Sequence, residues 1–138
     1  MQYEIREYID YNEDEILPIY KSVGWRNYTN SPQMLRDAYA HSLKIYGAYL
    51  EGSLVGVIRV VGDGFSVVFI QDLLVNPEHQ RRGIGSALLR RVLQEYKGVY
   101  QIHLLTENTE KTVRFYQSLG FMMDTDINCR AFSRYCIE

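Results

Sequence analysis

The sequence predicts a mixed α/β domain with a central sheet of about six to seven strands and four helices. Two kinds of segment follow one another along the chain. In one kind, apolar and polar residues alternate and β-branched side chains are frequent; in the other, the apolar residues have helical spacing. Glycine and proline separate these segments, and strand–helix–strand units favour parallel pairing of the flanking strands. The chain has 138 residues, of which 46% are hydrophobic, so we expect one domain over residues 1–138 with a single core.

The amino-terminal part predicts one strand and two helices. Residues 3–8 alternate in strand fashion, and Asn12 precedes three acidic residues as a helix cap does. The first helix should run to about residue 23, with Pro18 bending or interrupting it. Ser31 and Pro32 indicate the start of a second helix that reaches about residue 42. Residues 24–30 are expected to form the loop between the two helices.

The middle of the chain predicts a three-stranded antiparallel meander. Residues 45–50, 54–61 and 67–75 are rich in β-branched and aromatic side chains. Turn-forming residues separate them, at Glu51–Gly52 and at residues 62–64.

The carboxy-terminal part predicts two helices and three strands. An amphipathic helix spans about 83–96, a strand follows at 101–106, and a second helix spans 109–119 before Gly120. Residues 122–125 and 130–135 are expected to form a final strand pair.

Composition and charge argue against several kinds of partner. Fifteen Lys and Arg against seventeen Asp and Glu give a net charge of −2, without the basic footprint of a nucleic-acid binder. We find no secretory signal pattern, and apolar runs such as residues 67–70 are far shorter than the roughly 18 residues of a membrane helix. We therefore expect a cytoplasmic protein that binds neither nucleic acid nor membrane.

Metal binding is not expected either. The spacing of Cys129 and Cys136 fits neither a redox pair nor a zinc knuckle, and His41, His79 and His103 lie on different predicted elements.

Residues 80–86 form the most informative segment. A strand ends at Val75, a basic loop follows, and Gly83 and Gly85 open a helix. Free backbone N–H groups at the positive end of a helix dipole suit a phosphate or pyrophosphate, and Arg81 and Arg82 add charge. By spacing alone, the two glycines are equally consistent with a plain helix start.

The residues around this turn resemble one family. A P-loop would need Gly-Lys-Ser/Thr at its end, and a dinucleotide fingerprint would need glycine at Leu88. The run from Gln80 to Gly85 instead resembles the Q/R-x-x-G-x-G/A signature of the GCN5-related N-acetyltransferases, the GNAT family. Residues 72–77 resemble that family's fourth strand and its exit. Asn108, Phe115–Tyr116 and residues 119–121 resemble its second motif.

The resemblance implies a cleft for acetyl-CoA between splayed fourth and fifth strands, here residues 67–75 and 101–106. The pyrophosphate would lie on the turn backbone, and the pantetheine arm would run along the fourth strand like an added strand. The implied cofactor-binding residues are Leu73, Leu74, Val75, Gln80, Arg81, Arg82, Gly83, Ile84, Gly85, Ser86, Asn108 and Tyr116. The side chains of Leu73 and Val75 are equally suited to the core, with only their backbone binding. Asn108 suits either the cofactor or a helix cap.

The resemblance also implies the chemistry. A neutral amine would attack the thioester carbonyl in a ternary complex, and Tyr116 would protonate the leaving thiolate, unless its hydroxyl only packs against a polar partner. Asp72 and Glu107 are candidates for the base, acting through water, and the N–H of Leu74 or Val75 would serve the oxyanion. Asp72 is also consistent with a purely structural acceptor.

The resemblance further implies that residues 24–30 form the wall of the cleft on the side where the acceptor enters. Trp25 and Tyr28 offer aromatic faces there to a flat or cationic amine, while Trp25 is also suited to filling a gap between helices.

We therefore expect an acetyl-CoA-dependent N-acetyltransferase acting on a primary amine of a small molecule or peptide. The alternative is a catalytically weak acyl-CoA sensor or interaction module with the same fold. No metal cofactor is expected, and a homodimer is left open.

Overall fold

The computed structural model describes residues 2–136. The chain divides into two compact units, Met1–Leu105 and Thr106–Glu138. The expectation of one domain over the whole chain stays a prediction.

The first unit contains a five-stranded mixed sheet in the order β1-β2-β3-β4-β5. Its strands are β1 (Glu4–Glu7), β2 (Lys44–Leu50), β3 (Ser53–Gly62), β4 (Val67–Val75) and β5 (Gln101–Leu104). The first four pair antiparallel and β5 pairs parallel to β4, which confirms the mixed sheet and the central meander. The predicted number of six to seven strands is wrong for the described residues, which hold five.

Four helices belong to the same unit: α1 (Glu13–Ser22), α2 (Arg26–Thr29), α3 (Pro32–Ala40) and α4 (Ile84–Glu95). The Asn12 side chain caps α1 by accepting from the Asp14 N–H, as predicted. Pro18 lies inside α1 without interrupting it.

Helix α2 was not predicted, because residues 24–30 were expected to be a loop. It is a single turn, in which the Trp25 carbonyl accepts from the N–H groups of Tyr28 and Thr29. A segment this short has no apolar periodicity from which a helix can be recognised.

Helices cover both faces of the sheet. Val57 and Leu74 belong to a buried cluster with residues of α1 and α3, including Ile16, Tyr20 and Leu35. Side chains of a strand alternate between faces, and Gly56, next to Val57, faces α4: a Cβ on Gly56 would lie 3.4 Å from Leu88 Cδ1. Four residues of α4 are buried: Ile84, Leu88, Leu89 and Val92.

The second unit contains α5 (Glu110–Ser118) and a short 3₁₀ helix at Asp124–Ile127. With α5 the described residues contain five α-helices instead of the predicted four. The predicted strand pair at 122–125 and 130–135 is wrong. Residues 128–136 are all exposed, and an alternating pattern does not form a strand without a partner and a buried face.

Candidate active site

A β-bulge breaks the pairing of β4 at Gln71. Asp72 faces Arg59 of β3 and Ile70 faces Val60, so Gln71 is the extra residue between them. The parallel pairing of β4 with β5 covers Val67 to Ile70 and stops there, at Leu104. Residues 71–75 of β4 therefore continue beyond the last pair with β5, which opens a gap beside the carboxyl-terminal half of β4.

Leu73 and Val75 turn their backbone groups towards this gap. Asn76 N–H donates to the Val55 carbonyl of β3 at 2.8 Å. Bonded and non-bonded pairs alternate along an antiparallel ladder, so Leu74 also faces β3 with its backbone, whereas Leu73 and Val75 face away. The Val75 carbonyl accepts instead from Gln80 Nε2, at 3.1 Å. The N–H groups of Leu74 and Val75 were the two predicted oxyanion donors. Because the Val75 N–H points into the gap and the Leu74 N–H points at β3, the structure favours Val75.

Leu73 is half-buried, while Leu74 and Val75 are buried.

The turn before α4 is built by two left-handed residues, Arg81 with φ +66° and Gly83 with φ +80°. Gly83 takes the N-cap position, and the first intrahelical bond runs from Ala87 N–H to its carbonyl. The N–H groups of Ile84, Gly85 and Ser86 therefore lack helix partners and lie at the positive end of a 12-residue helix. A Cβ on Gly83 would meet nothing within 4 Å, so the space beside the turn is open.

The residues around this turn fit an anion. Gln80, Arg81 and Arg82 are exposed. Arg82 Nη1 lies 3.3 Å from His79 Nδ1, which holds the guanidinium near the turn. A pocket of about 260 Å³ next to it is lined by Tyr3, Leu50, Arg82 and Ile84.

Asp72 lies at the centre of a buried polar network. Its Oδ2 accepts from Arg59 Nε at 2.7 Å and from the Tyr20 hydroxyl at 2.8 Å, and its Oδ1 accepts from the Tyr28 hydroxyl at 3.1 Å. The Tyr20 hydroxyl lies 2.9 Å from that of Tyr39. Asp72 is 1% exposed, and its carboxylate oxygens are already bonded, an environment that favours the structural interpretation over that of a general base.

Arg59, Tyr20 and Tyr39 were not singled out from the sequence. Arg59 had a signal, because it is the one charged residue in the apolar run 54–61 and a buried charge needs a partner. The tyrosines had none.

Tyr28 connects the buried network with the surface. Its hydroxyl also receives a hydrogen bond from Nε2 of the exposed Gln71, at 3.2 Å. Burial, reinforced by the negative charge of Asp72, raises the pKa of Tyr28 above its usual value.

Trp25 is half-buried beside the same network. Its ring centroid lies 5.9 Å from that of Tyr20 and 6.2 Å from that of Tyr28. The side chain packs against the core cluster, so it contributes to packing between α1 and α2.

The second unit holds Tyr116 and Asn108. Tyr116, on α5, is half-buried with its ring centroid 4.9 Å from that of Phe115, and burial raises its pKa although a hydrogen bond with Thr106 opposes the shift. Asn108 and Glu107 are exposed just before α5. The cap of α5 is Thr109, whose side chain accepts from Thr112 N–H, so Asn108 does not cap this helix and its role at the cofactor stays a prediction.

Two further findings concern residues 2–136 only. No helix there is long and apolar enough to cross a membrane. No three His, Cys, Asp or Glu side chains of this range come together as metal ligands would.

Several known proteins are similar to this chain in sequence. Serotonin N-acetyltransferase 2 of rice, a chloroplastic protein, is 35% identical over 109 residues. The match covers 74% of this chain but 54% of the relative, so the chain spans about half the length of this curated protein.

Solved structures resemble the whole chain. A GNAT-family acetyltransferase of Streptococcus pneumoniae TIGR4 has a TM-score of 0.89 and 42% identity, covering 99% of this chain and all of that one. The PaiA N-acetyltransferase of Thermoplasma acidophilum, solved with coenzyme A, has a TM-score of 0.75 at 18% identity, covering 88% of this chain and 91% of that one, and shares the fold.

The family model described as acetyltransferase (GNAT) family matches residues 7–121, a range that includes the bulged strand, the glycine turn and α5. This chain therefore belongs to the GNAT family of acetyltransferases.

Proposed function

We propose that the protein is an acetyl-CoA-dependent N-acetyltransferase that modifies a primary amine of a small molecule or peptide by direct attack in a ternary complex. The observation that carries the proposal is the continuity of the bulged end of β4 with the left-handed turn at Gly83. The bulge leaves strand backbone available to a pantetheine arm, and the turn leaves helix N–H groups available to a pyrophosphate.

Two parts of the cofactor, the pyrophosphate and the pantetheine arm, have complementary groups in the chain. The N–H groups of Ile84, Gly85 and Ser86 are suited to the pyrophosphate oxygens, with Arg81 and Arg82 adding positive charge. The backbone of Leu73 is suited to the amides of the arm, and so is the Val75 carbonyl, which keeps a second lone pair beside the one that accepts from Gln80. When bound, acetyl-CoA supplies the activated acetyl group as a thioester.

Transfer needs three functions: removal of a proton from the amine, stabilisation of negative charge on the carbonyl oxygen, and protonation of the leaving thiolate. The amine must lose a proton, and its lone pair forms a C–N bond as the C–S bond breaks. The N–H of Val75, directed into the gap, is suited to stabilise negative charge on the carbonyl oxygen. Tyr116 keeps its proton because burial raises its pKa, which suits it to protonate the departing thiolate.

We assign no general base to Asp72. Its oxygens are occupied by Arg59, Tyr20 and Tyr28, so we propose that it positions the other groups. Water then relays the amine proton to the bulk solvent, where buffer base accepts it.

The test is a screen of purified protein with acetyl-CoA and a panel of arylalkylamines, polyamines, aminoglycosides and peptide N-termini. Release of free thiol is measured, and mass spectrometry of the product shows whether the acetyl group is on nitrogen. We expect turnover with at least one primary amine and saturable binding of acetyl-CoA by calorimetry. Binding of acetyl-CoA without turnover of any amine would instead indicate a sensor.

A further inference from the structure

We infer that Tyr28 Oη and Gln71 Oε1 form a pair of neutral hydrogen-bond acceptors that receive the N–H groups of the incoming amine. Asp72 sets the direction of these hydrogen bonds without touching the substrate. The inference rests on the proposed transfer to an amine and names residues that select the acceptor.

The direction is set by the Arg59–Asp72 pair. Arg59 Nε lies 2.7 Å from Asp72 Oδ2, and both side chains are buried. A carboxylate in such a pair only accepts hydrogen bonds. The single proton of the Tyr28 hydroxyl, 3.1 Å from Asp72 Oδ1, must therefore point at Asp72.

That leaves the Tyr28 oxygen with lone pairs only. The Gln71 amide lies 3.2 Å away and can bond to this oxygen only through its NH₂ group. The amide orientation thus follows from the network, and Oε1 is the end of Gln71 that remains available. Tyr28 Oη and Gln71 Oε1 can therefore only accept hydrogen bonds, so the ligand that complements them is a hydrogen-bond donor.

The position of the pair fits an acceptor amine. Gln71 is the exposed bulge residue, at the point where β4 leaves β5, and Leu73 and Val75 follow it along the gap. The charges of the network are paired inside the core, so the groups presented are neutral. Unlike a carboxylate, neutral acceptors form no ion pair that would hold the amine in its charged, non-nucleophilic form, and a neutral primary amine offers them two N–H groups.

The experiment uses Tyr28→Phe and Gln71→Met, with the amine that the wild-type enzyme turns over fastest in the screen. Each variant should raise the KM for that amine about three- to ten-fold, the effect of one hydrogen bond to a neutral group, and leave acetyl-CoA affinity unchanged. The double variant should raise it by less than the product of the two effects, because Gln71 is oriented by Tyr28.

Tyr11→Phe is the matched control. Tyr11 is also a half-buried tyrosine packed against the core cluster, but its buried hydroxyl has no hydrogen-bond partner among the described residues. Its KM should equal that of the wild type.

A second readout separates recognition from packing. The N,N-dimethyl analogue of the same amine has no N–H when neutral, so it should inhibit the wild type weakly, with a Ki well above the KM of the substrate. In Tyr28→Phe this difference should shrink, whereas a change in packing would alter both constants together.

The experiment distinguishes failure of this inference from failure of the proposed function. If the wild type turns over an amine but both variants keep its KM, this inference is wrong and the proposed function stands. If no amine supports thiol release, both are wrong. If the KM of the amine and the Ki of its dimethyl analogue rise by the same factor, Tyr28 acts through packing and the inference fails.

Discussion

Arg59 and Asp72 form an ion pair across β3 and β4, with 2.7 Å between Nε and Oδ2 and side-chain exposures of 4% and 1%. Replacing one member leaves a buried charge without its partner. We expect Asp72→Asn to lower the free energy of unfolding by about 3 to 5 kcal/mol, measured by urea denaturation. The double replacement Arg59→Met with Asp72→Leu should recover a large part of this loss, because it removes both charges.

The control is the exposed pair between Arg36 and Glu13, whose atoms lie 3.3 Å apart. Glu13→Gln should change stability by less than about 1 kcal/mol, since water screens exposed pairs. Equal losses in Glu13→Gln and Asp72→Asn would contradict the importance of burial here.

Gly83→Ala should separate cofactor binding from backbone strain. Gly83 and Gly64 have nearly the same left-handed conformation, with φ +80° and +79°, and a Cβ on either meets no atom closer than 3.5 Å. Each alanine variant should cost about 1 kcal/mol of stability. Only Gly83→Ala should weaken acetyl-CoA binding in calorimetry, because only its methyl group would stand beside the N–H groups of α4. Equal affinity in both variants would remove the turn from the proposed site.

Tyr116→Phe should slow turnover while preserving acetyl-CoA affinity. A positioned acid acts mainly in the transition state, so we expect kcat to fall by about 10². Tyr100→Phe, at a tyrosine that is 84% exposed, should leave kcat unchanged. A wild-type kcat in Tyr116→Phe, under conditions where chemistry limits the rate, would assign this residue to packing.

Stability should fall at alkaline pH. Burial raises the pKa values of Tyr20 and Tyr39 well above the ordinary value of 10.0, and that of Tyr46 to about 12. Below about pH 10 these groups are protonated in both states and their contribution is complete. Above it the unfolded chain loses protons first, so stability falls as pH rises.

Thermal unfolding between about pH 8 and pH 11 checks this expectation. Tyr46→Phe should show a shallower fall, since one of the raised groups is gone. A constant Tm across the range would show that these tyrosines ionise alike in the folded and unfolded states.

The sequence determined the features that depend on neighbouring residues. Asn12 caps α1, the apolar spacing from Ile84 to Val92 makes α4 amphipathic, and the glycine at 83 adopts the left-handed turn. Such signals act within a few residues of each other, so a single sequence contains them. One local signal gave a wrong prediction, because the alternating residues 130–135 formed no strand.

Only the tertiary structure decided what surrounds Asp72. Its partners Arg59, Tyr28 and Tyr20 are 13, 44 and 52 residues away in the chain, on other elements. The packing of α1 and α2 against the sheet decides which of the many tyrosines reach the Asp72 carboxylate. The spacing of residues in the sequence does not encode this packing. In this packing Asp72, one of the two candidate bases, is a buried and ion-paired acceptor of hydrogen bonds, because a charge removed from water is stable only with its partners around it.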